Sequence, residues 1–143
     1  MSNIYVLGAG MVGSAMAIDL AKNHQVTVSD VSSAVLSRIA EKEPSLKTEM
    51  LDVTDTKDLA LKIKDSDVVL SAVPGFLGFK TLKNIILQGK NTVDISFFPE
   101  NALELNQLAL ENNVTAIVDC GVAPGMDNVI LGYYNETHDL DFF

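Results

Sequence analysis

Leu7-Gly8-Ala9-Gly10-Met11-Val12-Gly13 follows the apolar run Ile4-Tyr5-Val6 and opens a stretch in which Val12, Ala15, Met16 and Leu20 recur at helical spacing. A strand, a G-x-G-x-x-G turn and a helix in succession form the layout of a dinucleotide-binding turn. Gly8 suits the tight exit from the strand, Gly10 lacks the Cβ that would hold a pyrophosphate away, and Gly13 lets the helix lie close to the sheet. Met11 and Val12 start that helix, whose unpaired N–H groups and positive dipole end favour a dianion. The same turn also serves elsewhere as a plain strand-to-helix connector.

Working outward, Gln25-Val26-Thr27-Val28-Ser29-Asp30 reads as a second strand ending on an acid, about twenty residues past the middle glycine, where a carboxylate meets an adenosine ribose. Two carboxylate oxygens there accept from both ribose hydroxyls and repel a 2′-phosphate. Val31, Ser32 and Ser33 bring no cation, and Arg38 lies further along the next helix, so the expected cofactor is NAD in preference to NADP. The alternative for Asp30 is capping the helix that starts near Ser32.

The remaining segments alternate strand and helix: a second helix from Ser32 to about Glu41, a third strand over 46–51, a helix over 56–64 and a strand over 67–73. A helix carrying Phe79, Leu82 and Ile86 ends at Gly89, and a fifth strand covers 91–95. One helix is expected from Pro99 to about Glu111, then a sixth strand over 114–118 and a helix over 126–134. The fold class this predicts is α/β, a Rossmann-type doubly wound, mainly parallel six-stranded sheet with helices on both faces. At the carboxyl ends of the strands, Asp52 and Val53 are expected to meet the adenine, with Asp55 or Thr54 as helix caps the equal alternative. Ala72, Val73 and Pro74 are expected to line the nicotinamide half of the crevice.

With 143 residues the chain has the length of one domain, and its formal net charge of -9 without a basic stripe argues against nucleic acid or an anionic membrane surface. No segment has the uninterrupted apolar length of a membrane span, and a cytoplasmic protein is expected. The single Cys120 has no disulfide partner in the chain, and no Cys/His spacing suits zinc, so no metal is expected. Leu103 and Leu110 point away from the core face of their helix, and this second apolar stripe calls for a neighbouring helix, another domain or another subunit, as in a homo-oligomer.

LGAGMVG with SDVS at 29–32, LDVTD at 51–55, LSAVPG at 70–75, VDIS at 93–96 and CGVAPG at 120–125 resembles, in this order and over nearly the whole chain, the N-terminal portion of the saccharopine dehydrogenase-like family, closest to its lysine 6-dehydrogenase branch. The resemblance implies an NAD-dependent oxidoreductase acting on an amino-acid C–N bond, with hydride transfer to the nicotinamide and an imine that water hydrolyses. Family members continue into a substrate-binding domain. Residues 1–134 are therefore expected to be the NAD-binding domain and 135–143 the truncated start of a link to an absent substrate domain, so that the chain alone binds cofactor without turnover. Leu103, Leu110 and Phe142-Phe143 would be the surface left by that domain. Among side chains able to do chemistry, Cys120 and Asp94 are the weak catalytic candidates, with packing as the alternative for Cys120; neither His24 nor His138 is placed as a general base. A second reading is a stand-alone NAD-sensing regulatory domain of the kind that gates potassium transport, which shares the glycine turn and the acid after strand two.

Overall fold

The computed structural model describes residues 1–138; Phe142-Phe143 lies outside them. Six strands, β1 (Asn3–Leu7), β2 (Gln25–Asp30), β3 (Lys47–Met50), β4 (Val68–Ser71), β5 (Asn91–Asp94) and β6 (Ala116–Ile117), form one sheet in the order β3-β2-β1-β4-β5-β6. Every pairing is parallel. The order reverses beside β1, so β1 and β4 part at their carboxyl ends and leave a crevice over the glycine turn.

Both faces of the sheet are buried because helices cover both. Ile4, Val6, Val26 and Val28 point to one side and pack on α1 (Met11–Ala21) and α2 (Ser33–Lys42) through Ala17, Leu36 and Ile39. Alternate residues Tyr5 and Leu7, with Val69, point to the other side, onto α3 (Thr56–Ile63) and α4 (Gly75–Leu87) through Leu59, Ile63 and Ile85. A third cluster joins Leu82 and Ile86 of α4 to Leu105, with Phe79 and Phe98 in edge-to-face contact at 5.7 Å. Gly89, at φ +66°, follows α4 in the left-handed conformation suited to a helix end.

Strand and helix limits fall within a few residues of expectation, with one exception. The single helix expected from Pro99 to Glu111 is two pieces, a 3-10 turn over Ala102–Leu105 and α5 over Asn106–Glu111. Asn101 supplies the cause: its side-chain oxygen accepts from Leu103 N at 3.1 Å, so the first turn is set by a local cap rather than by the proline. Leu103 and Leu110 are 77% and 66% exposed, so the second stripe does face outward. The last helix, α6, covers Met126–Asn135. No helix among the described residues is long and apolar enough to cross a membrane.

Candidate cofactor site

The glycine turn holds its shape by contact at both ends. Gly8 has φ +95°, and a Cβ there would stand 2.6 Å from the Ala72 carbonyl oxygen, at the exit of β4. Gly13 is more confined, since a Cβ would stand 2.0 Å from the Gly8 carbonyl oxygen, so α1 leaves at an angle that only glycine permits. Gly10 differs: nothing lies within 4 Å of where its Cβ would be. It is the N-cap of α1, no side chain caps that end, and no acid occupies the first turn. The free N–H groups and open space beside Gly10 fit a pyrophosphate.

Gly8, Gly10, Met11, Val12, Gly13, Asp30, Ala72, Val73 and Pro74 line one crevice of about 410 Å³. Nine of the eleven residues expected from the sequence thus meet in one place. Ile95, Ser96 and Phe97 complete its far wall. These three were not singled out as site residues, although their place just beyond the carboxyl end of β5 is the signal that identifies them. Asp52 and Val53 are not on this wall. Asp52 is exposed, its carboxylate accepting from Thr54 N at 2.9 Å and Thr54 Oγ1 at 2.7 Å, bonds that hold its carboxyl below the usual range. Val53 is buried with Leu51 and Leu59. The cap of α3 is Asp55, which accepts from Lys57 N and Asp58 N, each at 3.1 Å.

Asp30 does something the sequence did not reveal. Its Oδ2 accepts from Ala9 N at 2.8 Å and its Oδ1 from Ser32 N at 2.9 Å, so the carboxylate ties the glycine turn to the start of α2. The helix cap itself is Ser32, whose Oγ accepts from Val35 N at 3.4 Å.

The two weak catalytic candidates lie off the crevice wall. Asp94 is fully buried; its Oδ1 accepts from Ser96 N at 2.6 Å and from the Ser96 hydroxyl, while Oδ2 has no partner. Burial pushes the Asp94 carboxyl above the ordinary carboxylate range, against the lowering effect of the Ser96 bonds. Asp94 thereby positions Ser96 at the crevice rather than reaching it. Cys120 is exposed and its Sγ contacts the Val118 carbonyl at 3.4 Å. Desolvation, then the charges of Asp119 and Asp94, push its thiol up, which disfavours the thiolate. Among the described residues no group of His, Cys, Asp and Glu could hold a metal ion.

A doubly wound sheet with this turn and this crevice is a dinucleotide-binding domain of Rossmann type. The chain belongs to the family described as the saccharopine dehydrogenase NADP binding domain, which matches residues 4–117. It is 28% identical over 128 residues to the saccharopine dehydrogenase [NADP(+), L-glutamate-forming] of Saccharomyces cerevisiae, covering 89% of this chain and 29% of that protein. The protein of the same name from Pyricularia oryzae is 30% identical over 79 residues, 55% of this chain and 18% of the relative. The solved structure of the apo saccharopine dehydrogenase (L-Glu forming) from Saccharomyces cerevisiae superposes with a TM-score of 0.82 at 29% identity, covering 96% of this chain and 32% of that one. This chain therefore spans less than a third of the length of those curated relatives.

These findings overturn the expected preference for NAD. The family is an NADP binding domain, and both relatives are named as NADP(+) enzymes. The reason is physical as well: each oxygen of Asp30 already accepts a backbone N–H, so the acid is a brace for the turn and does not act as the free ribose acceptor that the NAD reading required. The likeness to potassium-transport regulatory domains goes no further than the shared turn.

Proposed function

We propose that the chain binds NADP(H) and serves as the cofactor domain of an oxidoreductase that acts on an amino-acid C–N bond, as in saccharopine dehydrogenase. The observation that carries this is the single crevice joining the open helix end at Gly10 to the β4 and β5 exits, in a chain of this family. Gly10, Met11 and Val12 would hold the pyrophosphate, and Ala72, Val73, Pro74 and Ser96 would border the nicotinamide. When bound, the nicotinamide supplies hydride exchange. The chain's part is to fix the ring's face and to exclude water from that side, for which Val73 and Phe97 provide apolar walls. The substrate would be held by a further domain, with residues 1–134 as the cofactor unit and 135–143 leading out of it, so this chain alone binds cofactor without turning over. The cytoplasm fits a cofactor domain of this kind. Isothermal calorimetry with NADPH tests the proposal: micromolar or tighter binding supports it, and no measurable binding overturns it.

A further inference from the structure

We propose that Arg38, assisted by Lys42, is the cationic clamp for the 2′-phosphate of the cofactor, and so a residue that sets specificity. The inference rests on the NADP reading above. Beside the crevice lies a second cleft, about 440 Å³, between the start of α1 and the face of α2. Ala9, Gly10, Met11 and Ser14 form one wall, and Arg38 and Lys42 stand on the other. Gly10 and Met11 border both clefts, so the two spaces are continuous around the glycine turn.

Three features of this second cleft point to a phosphate. Arg38 and Lys42 are four residues apart on α2, one turn, and so share a face. The ion pairs among the described residues are Lys22 with Asp19 and Lys62 with Asp58; Arg38 and Lys42 are in neither. Two cations side by side without a counter-charge are unusual in a chain of net charge -9, whose overall field repels a phosphate unless cations gather locally. Third, Asp30 sits at the join, its carboxylate engaged by Ala9 N and Ser32 N, which moderates the repulsion that a 2′-phosphate would meet there. The planar guanidinium of Arg38 offers paired donors that match a phosphate's oxygens, whereas Lys42 acts as a point charge. The sequence concealed the arrangement, because Arg38 falls well past the positions after β2 where a phosphate-binding cation is sought.

Calorimetry on the 143-residue chain with NADPH, NADH, 2′,5′-ADP and 5′-AMP tests the assignment, with circular dichroism melting to confirm that each variant is folded. Arg38→Ala is expected to weaken NADPH and 2′,5′-ADP about tenfold or more while NADH and 5′-AMP change less than about twofold. Arg38→Lys should recover part of the loss, and Lys42→Ala should give a smaller loss of the same pattern. Equal weakening of phosphorylated and unphosphorylated ligands, or no change in either, would overturn the clamp while leaving the cofactor domain in place. Failure of the unaltered chain to bind NADPH would remove the NADP reading itself and the clamp with it.

Discussion

The Asp30 carboxylate and the Ala9 backbone N–H meet at 2.8 Å, joining the end of β2 to the glycine turn between β1 and α1. The bond spans 21 residues of sequence and exists only because β1 and β2 lie side by side in register, Leu7 opposite Ser29. An acid at this place holds the turn before any ligand arrives, which lowers the cost of ordering it on binding.

Asp30→Ala should therefore weaken NADPH and NADH by similar factors and lower stability by about 2 kcal/mol, the scale of hydrogen bonds to a charged group. Urea denaturation and calorimetry on the same sample check both. A change confined to NADH would give the carboxylate a direct ribose contact instead of a bracing role.

Two glycines of one motif should respond in opposite ways. Gly10→Val meets no atom within 4 Å and leaves α1 capped as before, so the melting temperature should hardly move while NADPH binding is lost. Gly13→Ala puts a methyl against the Gly8 carbonyl and should cost about 1–3 kcal/mol through forced movement of α1. Thermal melts with and without NADPH separate the two.

The buried Asp94 makes stability depend on pH. Because its folded carboxyl is raised above the unfolded one, its contribution is fully present below the ordinary carboxylate range, about pH 4, and is lost as pH rises through the folded value. Asp94→Asn keeps an acceptor for Ser96 and removes the titration. Urea midpoints from pH 4 to 8 should fall less steeply in the variant than in the unaltered chain, and parallel profiles would place the proton elsewhere.

Cys120→Ser should change NADPH affinity by less than about twofold, since Cys120 does not line the crevice. Alkylation of the unaltered chain by iodoacetamide at neutral pH should be slower than that of a free thiol, because the thiol is pushed up and little thiolate is present.

Periodicity and turn chemistry determined the fold. The glycine turn, the alternation of short apolar strands with amphipathic helices and the switch point followed from local patterns, because backbone hydrogen bonding and burial on both sheet faces admit few solutions. The crevice residues followed from the same logic, since a place at the carboxyl end of a parallel strand is legible wherever the strand is. Where two local forces competed, as at Asn101 and Pro99, the reading failed, and the helix there is split.

What tertiary structure alone decided was which charges meet. Asp30 looked free as a residue of the chain, yet two backbone N–H groups brought by neighbouring segments occupy it. Arg38 looked remote, yet the packing of α2 against the start of α1 places it beside Gly10. Hydrophobic period can be counted along one strand or helix, but Coulombic and hydrogen-bond partners are chosen across segments far apart in sequence, and cofactor preference depends on those partners.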